Sequence, residues 1–401
     1  MWAYFFLTNN YPAKIVGQYD FIRSFLLVIG SFTLLGTDQS ILYFAGRLRS
    51  YKSLEEIKLI YWKMIKIILS LSFIIYFAFL LIDKDFLNNY FNDNNVYNLL
   101  LKGIFVLFFY CLTLLNTEVF RAINFLVLSE IFRNIIKYLP TLLGAIMLLI
   151  LDREDLLLSF FLYGFIFTGV LSTFIVYLIF KKINNDLVSE TILLREVISR
   201  SYPIAISSMA IFLLMSFDIM FLKKFKNDAT VAYYSVAVKL MMILSIIINT
   251  ININVSSKIS ELFNSQKIEE LNSLLKHSSR LIFILSLPLV LFILVFSKEI
   301  LALFGNNYIA SNTALLIMIF TQGICTLFGS VGVYLNMTGK QKIFQNILLF
   351  SVLINFLLNR LLIPKYGMTG AAIAFSVSLF LWNFISCLII YKKDKVKIFI
   401  R

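Results

Sequence analysis

The chain has 401 residues, of which 60% are hydrophobic and only 14% charged, with a mean hydropathy of +0.87. Soluble domains average about 45–50% apolar and about 25% charged residues, so this composition excludes a soluble globular protein. The net charge of +14 matches the Lys/Arg enrichment of cytoplasmic membrane loops, and nucleic acid is not an expected partner.

The start, "MWAYFFLTNN", holds a short apolar stub with neither a basic lead nor a small-residue cleavage site, so no cleavable signal peptide is expected. Polar breaks then separate eleven apolar runs, at roughly 14–44, 60–82, 98–119, 134–151, 156–180, 202–222, 229–256, 279–304, 311–335, 343–363 and 368–391. Runs such as "LLLSFFLYGFIFTGVLSTFIVYLIF" (156–180) exceed the roughly 20 apolar residues that cross a bilayer as a helix. The expected fold is an all-α polytopic membrane protein. Cys111, Cys325 and Cys387 fall within apolar runs without a CxxC spacing, which supports neither a disulfide framework nor a metal site. His277, in "SLLKHSSR", is expected on a solvated surface.

Most Lys and Arg residues collect in alternate loops: 47–66, the stretch with Arg121, Arg133 and Lys137, then 181–200, 258–280, 340–342 and the tail from Lys392. The positive-inside bias makes these loops and the C-terminus cytoplasmic. "FLKKFKND" (221–228) is the exception, with three lysines on the opposite side.

The chain also repeats itself. "KSLEEIKLIYWKMIKIILSLS" (52–72) aligns with "QKIEELNSLLKHSSRLIFILS" (266–286), and "AKIVGQYDFIRSFLL" (13–27) with "ATVAYYSVAVKLMM" (229–242). In the second alignment Arg23 matches Lys239. The expected organisation is therefore two six-helix lobes, 1–198 and 199–401, related by a pseudo-two-fold axis along the membrane normal, about 12 spans in all. The stub is then the end of an incomplete first span.

A charge at the bilayer centre costs about 2.5–3.5 kcal/mol even on the lenient insertion scale, so each one asks for a reason. Arg23 and Lys239 both lie about ten residues into their spans, on the order of 15 Å deep at 1.5 Å per residue. One cation from each lobe makes a site for an anion, phosphate being the obvious class. The competing reading is structural pairing, for instance of Lys239 with Asp218. Asp218, in "LLMSFDIMFL", either pairs with a cation or serves as a protonatable coupling site. Asp38, in "LLGTDQSILYFAGR", lies nearer the cytoplasmic end, where polar and capping roles are common. Arg360 lies near the outer interface, within snorkelling reach of water. Glu118, Arg121, Glu130 and Arg133 are expected to pair with one another. No Walker A sequence and no long loop are present, so neither a built-in ATPase nor a catalytic site is expected.

"LNMTGKQKIFQNILLFSVLINFLLNRLLIPKYGMTGAAIAFSVSLFLWN" (335–383) resembles the C-terminal signature of Wzx-type polysaccharide flippases of the multidrug/oligosaccharidyl-lipid/polysaccharide exporter superfamily. "GQYDFIRSF" (17–25) is similar to the segment after that family's first span, and "YPIAISSMAIFLLMSFDIMFL" (202–222) to the opening of its second half, with Asp218 at the acidic position. The resemblance implies a two-lobed carrier in the bacterial cytoplasmic (inner) membrane. It implies translocation of undecaprenyl-pyrophosphate-linked oligosaccharide, such as O antigen, by alternating access through a cationic central cavity. No cofactor is implied. The implied partners are the lipid-linked oligosaccharide and the bilayer, with a polysaccharide polymerase and a chain-length regulator alongside. Two alternatives stand beside this reading: a cation-coupled drug or metabolite antiporter using Asp218 and Asp38, and a non-transporting membrane enzyme or scaffold of polysaccharide assembly.

Overall fold

The structure is a computed structural model that describes residues 2–42, 54–181 and 194–396. Among these the chain is helical, and ten segments are long and apolar enough to cross a bilayer. Two compact units emerge, Trp2–Phe212 and Leu213–Arg401.

The first unit opens with the stub helix α1 (Trp2–Asn10). Pro12 precedes α2 (Ala13–Leu34), at a position where its missing N–H forfeits nothing. Leu35 (φ +47) and Gly36 (φ +73) interrupt that run, and residues 37–42 resume a helix. The expected span 14–44 is thus broken near its end. The break lets residue 36 pass the chain at 201–205: a Cβ on Gly36 would stand 2.5 Å from the Ser201 carbonyl oxygen. Next come α3 (Leu54–Leu80), the short α4 (Lys84–Phe91) and α5 (Val96–Ala122). The side chain of Asp83 caps α4 by accepting from the Asp85 and Phe86 amides. The unit continues with α6 (Leu126–Ile131), α7 (Leu139–Ile150), α8 (Leu157–Lys181) and α9 (Leu194–Phe225), the last of which runs across the boundary between the units.

Helix α5 is the hub of this unit, packing on α2, α3 and α8. Lipid supplies no hydrophobic drive to join helices, so close backbone approach and interhelical hydrogen bonds must do it. Both are present. Gly169 of α8 sits so near α5 that a Cβ would be 2.9 Å from the Phe109 carbonyl oxygen. The buried Asn116 of α5 donates to Ser172 Oγ (2.8 Å) and Thr173 Oγ1 (2.9 Å) of α8, and accepts from Tyr61 of α3 (2.8 Å). Large apolar side chains such as Phe73, Ile74 and Phe77 of α3 point outward instead, onto the face offered to lipid.

The second unit contains α10 (Asp228–Asn264), α11 (Ile268–Val295), α12 (Ser297–Ala302), α13 (Asn312–Cys325), α14 (Val331–Met337) and α15 (Gln341–Asp394). Between α13 and α14 the expected span 311–335 breaks at Gly329 (φ +62). Helix α15 is 54 residues long but is not one rod: Gly367 (φ +55, ψ −129) folds it back just after Pro364. The Phe344 and Trp382 rings lie 5.9 Å apart, and Lys340 pairs with Asp394. Neither contact is possible in a straight helix rising 1.5 Å per residue. With the two legs of α15 counted separately, the described residues make eleven crossings after the stub, as the hydropathy pattern predicts.

The hairpin closes tightly at Gly370, where a Cβ would lie 2.5 Å from the Leu362 carbonyl oxygen. Gly370→Ala must push backbone apart, and we expect a loss of about 1–3 kcal/mol, typical of overpacking, read as a lower thermal midpoint in detergent.

The three lysines of 221–228 are partly accounted for. Lys223 is buried and pairs with Asp228 at 2.6 Å, and Lys226 donates to the Pro364 carbonyl oxygen at 3.3 Å. The segment therefore presents less free positive charge than its sequence implies. At the other end of the unit, Asp394 accepts from Tyr334 (2.9 Å) and pairs with Lys340, whose ammonium lies over the Phe263 ring.

Candidate functional site in each unit

In the first unit the chemistry gathers around Arg23. It lies on α2 one helical turn beyond Asp20, the i,i+3 spacing that brings opposite charges together. Asp20 is fully buried, and its Oδ1 lies 3.6 Å from Arg23 Nε. Its other oxygen accepts from the Tyr4 hydroxyl of α1 at 2.5 Å. Arg23 Nε is buried and makes no hydrogen bond, while the side chain as a whole is 24% exposed. The guanidinium is therefore anchored loosely and remains reachable.

Lys137 is a second cation of this neighbourhood. The segment between α6 and α7 is a π turn, Phe132–Ile136, and the Lys137 amide bonds to Phe132 O five residues back. Such a wide turn adds a residue to the helical repeat and re-aims the side chains beyond it; π turns recur at functional sites. Here it carries Lys137 over the Tyr110 ring of α5, with the ammonium 5.3 Å from the centroid. Lys137 and Tyr138 both lie within electrostatic range of Arg23. Counting Lys137 as a loop charge is thus corrected: the apolar crossing runs Leu126–Ile150 and includes it. Tyr19, packed edge-on to Phe161 at 4.5 Å, is within electrostatic range of Arg23 as well.

Asp38 is half-buried in the helical turn 37–42, beyond the break at Leu35–Gly36 and within electrostatic range of Glu118. Glu118 pairs with Arg133 (2.5 Å) and Arg121 (3.8 Å), and Arg133 with Glu130 (3.8 Å), so the expected cluster of these four forms.

In the second unit the centre is Asp218, buried at 1% exposure on α9. It accepts from the Tyr234 hydroxyl of α10 (2.6 Å) and from the side-chain amides of Asn359 (2.7 Å) and Asn355 (3.5 Å) on α15. Those two asparagines are one helical turn apart, and Asn359 also donates to Asn355 (3.0 Å). All of these partners are neutral. A Lys239–Asp218 ion pair does not form; Lys239 lies five residues beyond Tyr234 on α10, half-buried, and engages other groups. Arg360, next to Asn359, is exposed.

The residues around each candidate differ in how far sequence reading reaches them. Asp20 is legible as the i−3 partner of Arg23, and Asn355/Asn359 as an i,i+4 polar pair in an apolar run. Tyr4 and Tyr234 carry no local signal, because each is brought to its carboxylate from the neighbouring helix.

The model of the family described as "Polysaccharide biosynthesis protein" matches residues 4–257, and that of MatE matches residues 203–361. The chain belongs to the polysaccharide biosynthesis protein family. No curated protein matches it. Among solved structures, a multidrug resistance MATE family transporter of the MOP superfamily in its inward-facing conformation superposes with a TM-score of 0.76 at 13% identity, over 98% of this chain and 93% of that one. The lipid II flippase MurJ, in an inward closed conformation, gives 0.67 at 16% identity, over 94% and 85%. The MATE multidrug transporter DinF-BH gives 0.71 at 15%, over 98% and 91%. This member of the polysaccharide biosynthesis protein family thus has the fold of MOP-superfamily transporters.

Proposed function

We propose that this protein is a Wzx-type flippase, carrying undecaprenyl-pyrophosphate-linked oligosaccharide across the bacterial cytoplasmic membrane by alternating access, with its C-terminus cytoplasmic. The observation that carries the proposal is that the apolar crossings of the first unit keep two cations, the partly exposed Arg23 and Lys137 over the Tyr110 ring. Two cations kept in a membrane interior need a reason, and a diphosphate supplies it. Membership of the polysaccharide biosynthesis protein family supports the glycan end of the reading. Lys239, which the sequence repeat aligns with Arg23, is proposed as a further cation that export requires. A polysaccharide polymerase and a chain-length regulator are the proposed protein partners.

The direct test is export of a defined lipid-linked oligosaccharide into the outer leaflet of proteoliposomes. In that assay Lys239→Ala lowers export about tenfold and Lys239→Arg restores part of it, as expected for loss of one charge-assisted contact. Normal export by both variants would show that export does not depend on Lys239. Lys137→Met, which keeps the aliphatic stem but not the charge, lowers export by a similar factor of about ten.

A second reading, a cation-coupled drug antiporter, is favoured by one observation: Asp218 is a buried carboxylate held by neutral donors. Export by proteoliposomes that requires no prenyl pyrophosphate substrate and responds to an imposed cation gradient would choose it. The two readings also combine, with Asp218 as the coupling carboxylate of the flippase.

A further inference from the structure

We propose that Asp20 is a built-in competitor for Arg23, an internal anion that the substrate's phosphate must displace and that later helps expel it. The inference rests on the anion-carrier reading of Arg23 above. A carrier fails if its site holds substrate too well, so an anion site needs a device that limits affinity. The geometry around Arg23 has that form. Asp20 stands on the same helix as Arg23, one turn away, and meets it at 3.6 Å, longer than the roughly 2.7–2.9 Å of a charge-assisted hydrogen bond. What holds Asp20 tightly is instead Tyr4, on a different helix, at 2.5 Å. When the guanidinium turns to an incoming phosphate, Asp20 keeps its phenol donor, so the buried carboxylate is not stranded.

The second unit shows a related arrangement. There Tyr234 donates to Asp218 at 2.6 Å across the equivalent helical hairpin, with the positions of phenol and carboxylate exchanged, and neutral donors complete the site. Asp218 is thus a buried carboxylate held by a phenol and amides, with no cation bonded to it among the described residues. In the first unit the carboxylate is on α2, beside Arg23; in the second the phenol is on the corresponding helix, α10, so Asp218 is carried by α9.

The test uses purified full-length protein in detergent with inorganic pyrophosphate as the probe, alongside the proteoliposome export assay. Asp20→Asn keeps an acceptor for Tyr4 but removes the competing charge, and it binds pyrophosphate about tenfold more tightly. In export it lowers both KM and kcat, because release becomes slow. Tyr4→Phe frees Asp20 to turn fully onto Arg23, and it binds pyrophosphate severalfold more weakly. Opposite signs for two neighbouring substitutions cannot come from loss of folding, which weakens both. If Asp20→Asn binds pyrophosphate no more tightly than the unaltered protein, while that binding still requires Arg23, the competitor role is wrong and the anion site stands. If the unaltered protein shows no Arg23-dependent binding of pyrophosphate, both readings fall together.

Discussion

Arg23→Ala is expected to reduce pyrophosphate binding at least about 100-fold and to abolish export, since about 3–5 kcal/mol is carried by two charge-assisted hydrogen bonds in a poorly solvated site. Arg23→Lys keeps the charge but loses the planar fork that matches phosphate oxygens, so an intermediate loss of about tenfold is expected. The alanine variant has a second consequence, because it takes the Arg23 cation away from the buried Asp20. Tyr4 still donates to Asp20, so the loss falls short of the about 3–5 kcal/mol for breaking a buried pair from one side, but part of any loss of export is loss of fold. The double variant Arg23→Ala/Asp20→Asn removes both charges and recovers thermal stability without recovering binding. A double variant that binds pyrophosphate normally would place the anion site elsewhere.

Asp218→Ala is expected to lower the thermal midpoint by about 10 °C, because truncation strands buried donors and each stranded group costs about 1–3 kcal/mol. The stranded groups are the Tyr234 hydroxyl and the Asn359 amide, both fully buried in the second unit. Adding Tyr234→Phe removes one of them and recovers part of the loss, which a double-mutant cycle reads directly. Asp218→Asn separates structure from coupling. It keeps the shape and an acceptor oxygen while removing the charge, so it keeps most of the stability. If Asp218 is the coupling carboxylate, the same variant loses the response of export to an imposed ion gradient. A variant that is stable and still gradient-responsive would confine Asp218 to a structural role.

The two units show where sequence reading succeeds and where it stops. The crossing count survives because hydropathy is local: a run of about 20 apolar residues spans a bilayer wherever it occurs. The hairpin of α15 is legible for a similar reason, since Pro364 and Gly367 both mark the turn within four residues. The breaks at Gly36 and Gly329 are hidden inside apolar runs, where a glycine is equally at home in an unbroken membrane helix. Lys137 is easily misplaced because it lies at the end of a basic stretch that reads as loop. The apolar run 134–151 already contains it, and the crossing Leu126–Ile150 with its π turn at 132–136 decides between the two readings.

By itself the sequence determined the class, the number and order of crossings and the candidate charges Arg23, Lys239 and Asp218, all of which come from composition and spacing along one helix. Tertiary structure alone decided which groups those charges meet. Asp218 takes its donors from positions 16 and up to 141 residues away, and Asp20 takes its phenol from another helix. In a bilayer every span is apolar, so the pattern within a span does not say which neighbour it packs on. Small residues, interhelical hydrogen bonds and the cost of a buried charge settle that when the helices meet.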